Sequence, residues 1–286
     1  MENLFRTKDG KDDLLKLYDA KLASLAIDHE YQQIETSYGR TNIIVTGDAS
    51  NPPLIIVHGS NGCAPIGLET YPDLHKDFQV FAVDVLGQPN KSEGVQLSMK
   101  DDAYGKWMNE VIDGLGVEDV VMAGFSLGGL IILKTLIHDE RKVKEVYLSA
   151  PAYIVNGNPL KALWKIFIPM KRYMKSRDEK YVKQFLSVLF SERDEFAIKF
   201  LSKVFLEFEM DFTPVPTIRK VEARSISTPI NVVAAADDIM FPGTRMIKRA
   251  TRLFPSLKSS LLLSDSKHVF SKANNLIVQD LILKGL

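Results

Sequence analysis

Ser126 stands in Gly124-Phe125-Ser126-Leu127-Gly128, a spacing that suits nucleophilic attack when a strand runs into it and a helix leaves it. Val120-Val121-Met122-Ala123 reads as a buried strand, and Gly129-Leu130-Ile131-Ile132-Leu133-Lys134-Thr135-Leu136 has helical length. The turn between them must be tight, and small residues on both sides of the serine let strand and helix approach. A hydroxyl is a weak nucleophile until a neighbouring base takes its proton and a third group orients that base. Downstream of Ser126 there are two histidines, His138 and His268. His138 lies roughly 18 Å along the helix that the serine opens, too far to touch the hydroxyl. His268 follows a strand and a polar loop, so it falls at the carboxyl edge of a sheet, where α/β folds bind ligands. It is the candidate base.

The acid is expected just past another strand end, where Asp237 and Asp238 follow Val232-Val233-Ala234-Ala235-Ala236. Adjacent side chains point apart, so one of the two can orient an imidazole. Asp238, at the tip of the turn and shortly before Pro242, is favoured, and Asp237 reads as a turn-forming or solvated carboxylate. Negative charge developing on a substrate carbonyl needs two donors. The backbone N–H of Leu127 at the helix start is one. The second is assigned to the N–H of Ser60 in the loop His58-Gly59-Ser60-Asn61-Gly62, with Asn61 as its substitute. His58 reads as a structural anchor of that loop and Cys63 as a small packing residue. The chemistry these residues could carry out is acyl transfer to water. No cofactor is expected, since the glycines match neither a P-loop nor a dinucleotide fingerprint. No metal is expected either, since no two histidines stand at ligand spacing.

Alternating elements must hold these groups. A charged leader carries an amphipathic helix at 12–25. Strands at 31–37 and 41–46 form a hairpin turning at Tyr38-Gly39-Arg40. Further strands fall at 53–57, 80–85, 120–123, 143–148, 230–235 and 259–263, with a helix at 101–115 that puts Trp107, Val111 and Leu115 on one face. Short apolar strands alternating with longer helices imply an α/β fold with a mostly parallel sheet covered on both faces, and the hairpin adds an antiparallel edge. Between Pro151 and about Ser227 the pattern changes to three or four helices, punctuated by Pro159, Pro169 and the Pro214/Pro216 pair. The expected organisation is a leader at 1–30, a core at 31–151 and 228–286, and an inserted helical cap at 152–227. Cap side chains such as Trp164 either line an apolar pocket or pack the cap on the core. The eight basic residues from Lys161 to Lys183, against Asp178 and Glu179, read as a solvated face, with attraction of an anionic substrate or a membrane surface as the alternative.

Composition narrows the function classes. The chain has 286 residues, 45% of them hydrophobic, and a formal net charge of +0. No global field would steer nucleic acid or an anionic membrane. One cysteine precludes an internal disulfide, and no apolar run approaches bilayer-spanning length. The first residues lack the pattern of a secretory leader, so a cytoplasmic location is expected. The expected partner is a small molecule, with no nucleic acid and no stable membrane insertion. No oligomeric state can be read from the pattern.

Val57-His58-Gly59, Ala82-Val83-Asp84, Gly124-Phe125-Ser126-Leu127-Gly128-Gly129, Asp238 four residues before Pro242, and His268 together resemble the α/β-hydrolase superfamily. More narrowly, Phe81-Ala82-Val83-Asp84-Val85-Leu86-Gly87 with Asn90-Lys91-Ser92 resembles bacterial carboxylesterases of the naproxen-esterase type. The loop after Asp84 departs from the superfamily in lacking its Arg-Gly-x-Gly-x-Ser. The resemblance implies an α/β-hydrolase fold with an eight-stranded sheet, a Ser126–His268–Asp238 triad, and a cap inserted after the sixth strand. It also implies hydrolysis of esters of small, largely apolar substrates through an acyl-enzyme on Ser126. An aminopeptidase, a thioesterase or a carbon–carbon bond hydrolase would use the same triad. A peptidase would need Glu207, Glu209 or Asp211 to hold a free amine. A slow-turnover ligand-binding signalling protein is the alternative from a different class.

Overall fold

The computed structural model describes residues 4–286. Eight strands form one sheet: β1 (Glu30–Thr36), β2 (Gly39–Thr46), β3 (Pro53–Val57), β4 (Gln79–Val83), β5 (Val120–Phe125), β6 (Val143–Ser149), β7 (Ile230–Ala235) and β8 (Leu257–Leu263). Their order is β1-β2-β4-β3-β5-β6-β7-β8. β2 runs antiparallel to both its neighbours, and every other pairing is parallel. The hairpin turns one step earlier than expected, because Gly39 already pairs with Thr36. β4 stops at Val83, not at Val85, because Asp84 leaves the sheet to accept hydrogen bonds from Tyr18, Asn42 and the amide of Ala64.

Eleven α-helices accompany the sheet among the described residues: α1 (Lys8–Ser24), α2 (Ala64–Thr70), α3 (Ala103–Leu115), α4 (Leu127–His138), α5 (Pro159–Ala162), α6 (Ile168–Ser176), α7 (Lys180–Leu189), α8 (Glu195–Glu207), α9 (Lys220–Ser225), α10 (Gly243–Leu253) and α11 (Lys272–Leu283). Side chains alternate across the strands and split the core in two. On one face Trp107 and Val111 of α3, Leu130 of α4 and Met246 of α10 cover Ile55, Val83 and Met122. On the other, Leu14 and Tyr18 of α1, Leu68 of α2 and Val278 of α11 cover Ile56, Ala82 and Ala123.

Two expectations about the helices need correction. α1 starts at Lys8, ahead of the expected 12, and packs on the sheet: Leu14, Tyr18 and Leu22 are buried, and Tyr18 Oη donates to Asp84 Oδ2 at 2.9 Å. Nor does Pro169 end a helix. A π-helical turn, Leu163–Phe167, joins α5 to α6, and the chain runs through Pro169 unbroken. Looser winding just ahead of the proline relieves the clash that its ring makes in a regular helix. Trp164, on this turn, is 67% exposed, so it neither packs the core nor lines a closed pocket.

Candidate active site

The nucleophile turn is built by two hydrogen bonds and two close contacts of glycine. Ser126 lies between the last residue of β5 and the first of α4 at φ 53°, ψ −110°, a left-handed backbone that non-glycine residues avoid. Its N–H donates to the Ser149 carbonyl at 3.0 Å, and its carbonyl accepts from Ala152 N–H at 2.9 Å. Both partners belong to the end of β6 and the residues after it, which pin the strained turn from the neighbouring strand. A Cβ on Gly128 would overlap the Val57 carbonyl oxygen, and one on Gly124 would come within 2.6 Å of Ile132 Cδ1. The spacing of small residues read from the sequence is therefore a steric condition for α4 to start where it does.

His268 Nε2 lies 3.0 Å from Ser126 Oγ, and its Nδ1 lies 2.8 Å from Asp238 Oδ2. An ionised carboxylate only accepts, so the ring proton resides on Nδ1 and Nε2 is left to accept from the serine hydroxyl. The second oxygen, Asp238 Oδ1, accepts from the amides of Met240 at 2.7 Å and Phe241 at 3.0 Å. Burial opposes ionisation of Asp238, but the adjoining imidazole and these two amides outweigh it and hold the carboxyl below its ordinary value. Phe125 and Phe241 flank the imidazole, with ring centroids at 5.1 and 5.4 Å. Ser126 and His268 each keep 8% of their surface exposed. Asp237 is exposed, and His138 is exposed at the end of α4. The structure thus brings together Ser126, Asp238 and His268 and leaves the other two outside.

The loop after β3 lies against the nucleophile. A Cβ on Gly59 would meet the Phe125 ring at 2.8 Å and Ser126 Cβ at 3.4 Å. Asn61 N–H is committed to Gln88 Oε1 at 2.7 Å. That removes the substitute donor, whereas Ser60 stands exposed on the same loop. Leu127 opens α4, where helix N–H groups have no intrahelical acceptor. His58 holds the loop from behind: its Nε2 accepts from Val85 N–H at 3.1 Å, which places the proton on Nδ1, 2.7 Å from the Gly59 carbonyl. Cys63 is buried and its thiol is pushed well up by burial, as befits packing.

Two buried groups near this loop titrate in opposite senses. Burial lowers His58 to about 4 from 6.5, so it contributes stability present above about pH 6.5 and lost as pH falls through about 4. Burial raises Asp84 to about 6 despite its donors Ala64 N–H, Asn42 and Tyr18, so its contribution is present below about pH 4 and lost as pH rises through about 6. Between these limits the two oppose each other. In Asp84→Asn the opposition is gone, and the unfolding free energy is expected to fall more steeply from pH 7 to pH 4, by on the order of 3 kcal/mol. Urea unfolding across that range checks this; a variant curve parallel to the parent's would show that Asp84 does not titrate there.

Several supporting residues carried no signal in the sequence. Ser191, in the link between α7 and α8, brackets the base: its Oγ donates to the Val269 carbonyl at 2.8 Å and accepts from Lys267 N–H at 2.9 Å. Val269 N–H in turn donates to the Leu189 carbonyl at 2.8 Å. Gln88 and Asn90 hold the loops around His58 in the same way, Asn90 Nδ2 donating to the Val85 carbonyl at 2.9 Å. The partners of Ser191 and Gln88 are far away along the chain, whereas Asn90, part of Asn90-Lys91-Ser92, reaches a carbonyl five residues back. Among the described residues no group of three or more His, Cys, Asp or Glu is placed to hold a metal, and no helix is long and apolar enough to cross a membrane.

Residues 52–171 match a family model described as the alpha/beta hydrolase fold. An uncharacterized carboxylesterase, nap, of Bacillus subtilis (strain 168) is 33% identical over 119 residues, covering 42% of this chain and 40% of that protein. Carboxylesterase YbfK of the same organism is 32% identical over 136 residues, covering 47% of this chain and 46% of its own length. The matched segments thus span less than half of each curated relative. In three dimensions the chain is similar to naproxen esterase (carboxylesterase NP) from Bacillus subtilis, with a TM-score of 0.83 at 21% identity, over 97% of this chain and 98% of that one.

Proposed function

We propose that this chain, which has the α/β-hydrolase fold and resembles bacterial carboxylesterases, is a serine hydrolase cleaving carboxylic esters of small, largely apolar substrates. The observation that carries this reading is the unbroken chain Ser126 Oγ–His268–Asp238, with bonds of 3.0 and 2.8 Å. In the first step His268 Nε2 takes the hydroxyl proton as Ser126 Oγ attacks the ester carbonyl. Asp238 steadies the imidazolium, and the N–H groups of Leu127 and Ser60 receive the oxyanion. His268 then gives its proton to the departing alcohol, which leaves an acyl group on Ser126. A water deprotonated by the same nitrogen attacks the acyl carbonyl, and collapse of that intermediate frees the acid and reprotonates the serine.

The small exposure of Ser126 and His268 and the rings of Phe125 and Phe241 favour short apolar acyl groups. Residues 31–151 and 228–286 are read as the catalytic core, with 152–227 as the cap; Ser191 ties that cap to the base. A single unpaired, buried thiol suits the cytoplasm. Of the three carboxylates an aminopeptidase could use, Glu207 accepts from Thr7 Oγ1 at 3.0 Å and Asp211 from Thr213 N–H at 2.7 Å, which leaves the exposed Glu209 to hold a free amine.

A fluorophosphonate probe followed by a series of p-nitrophenyl esters tests the assignment. Labelling should map to Ser126, and turnover should peak at short acyl chains and fall at least tenfold for long ones. Labelling without multiple turnover would favour the slow ligand-binding class. No labelling would refute the nucleophile.

A further inference from the structure

The segment from Pro159 to Arg177 is charged in one sense only. It holds Lys161, Lys165, Lys171, Arg172, Lys175 and Arg177 and no Asp or Glu, in a chain whose net charge is +0. All six lie on the exposed side of α5, the π-helical turn and α6, or just past them, while Ile166, Met170 and Tyr173 are buried on the other side. Among the described residues no ion pair engages Lys161, Lys165, Lys171 or Lys175. The same exposed side carries apolar side chains that the fold leaves uncovered: Leu160 at 66% exposure, Leu163 at 43% and Trp164 at 67%. Phe212, 55% exposed, joins them by an edge contact to Phe167 at 6.3 Å.

We infer that this face docks the protein on an anionic lipid surface. Leu160, Leu163 and Trp164 recur at helical spacing with Lys161 and Lys165 between and beside them, the layout of a helix lying in the plane of a membrane interface. A tryptophan at the apolar–polar boundary suits the headgroup region, with its ring in the acyl boundary and its N–H in the wet layer. Six unopposed positive charges argue against a second copy of this chain, since two such faces would repel. Exposed apolar side chains set among basic ones suit a partner that is anionic at its surface and apolar beneath, as a lipid layer is. The face also stands close to the candidate triad: Gly157, just ahead of α5, donates to the Met240 carbonyl at 2.6 Å, and Met240 N–H is held by Asp238. Docking would present the site to esters dissolved in or partitioned onto the lipid. The binding claim itself does not depend on the esterase reading.

Co-sedimentation of the full chain with vesicles of phosphatidylcholine, and of phosphatidylcholine mixed with phosphatidylglycerol, separates the outcomes without any turnover. Binding to the mixed vesicles is expected, with a blue shift of tryptophan emission that Trp164→Ala abolishes. The double change Lys161→Gln, Lys165→Gln should weaken partitioning about 25-fold, fivefold for each lysine lost near the surface. Thermal unfolding of both variants should stay close to the parent's, since these side chains stand mostly in solvent. Equal partitioning onto the two vesicle types, or partitioning indifferent to the substitutions, would overturn the inference. So would binding to polyglutamate that competes fully with vesicles and leaves the emission unshifted, which would point to an acidic polypeptide as the partner.

Discussion

Ser126→Ala is expected to reduce turnover of a short p-nitrophenyl ester by a factor on the order of 10⁴–10⁶ while leaving the fold in place. The hydroxyl's only partner among the described residues is His268 Nε2 at 3.0 Å, so its removal cuts one bond and opens no cavity. The buried ring nitrogen left without that donor costs about 1 kcal/mol of stability, a small fraction of the whole. No other group can take over. Cys63 is buried with its thiol held protonated, and His138 is at the far end of α4. Steady-state kinetics beside a circular-dichroism melt gives both quantities. Residual hydrolysis within tenfold of the parent, at an unchanged melting temperature, would assign the chemistry to another residue.

The next largest effect is expected from Asp238→Asn, and its size follows from the two amides behind the carboxylate. Oδ1 accepts from Met240 and Phe241 N–H groups. An asparagine must therefore keep its oxygen toward those donors and present its NH₂ to His268. Nδ1 would then have to accept, the ring proton would move to Nε2, and Nε2 could no longer take a proton from Ser126. A loss in kcat on the order of 10⁴ follows, with KM nearly unchanged. Asp237→Asn is the internal control: Asp237 is exposed, and activity should stay at the parent level. If the two variants lose activity equally, the acid has been misassigned.

The parts of this fold that the sequence discloses are those set by contacts within one strand or one turn. β3 and β7 fall where their short, mostly apolar runs were read, at Pro53–Val57 and Ile230–Ala235. Ser126 and His268 are legible because a tight turn and a strand-end loop leave few other residue types. The choice between Asp237 and Asp238 turned on which carboxyl points inward, and the structure buries Asp238. Features built from distant partners were not legible. α1 begins at Lys8, capped by Thr7, although Gly10 in its first turn argues against a helix there; tertiary packing of Leu14 and Tyr18 outweighs that local penalty. The π-helical turn before Pro169 has no compositional sign, and neither does the bracket that Ser191 forms around His268.

Asp84 has a practical consequence. Its carboxylate gathers Tyr18 from the first helix, Asn42 from the second strand and the amide of Ala64 beside the candidate oxyanion loop. A shortened version of this chain beginning at the first strand would therefore strip one donor from an acid sealed inside the protein and unroof the apolar surface that Leu14 and Leu22 cover. For expression or crystallisation, any cut must spare Leu4 and Phe5, which are buried, and Arg6, whose N–H donates to the Glu207 carbonyl at 2.8 Å.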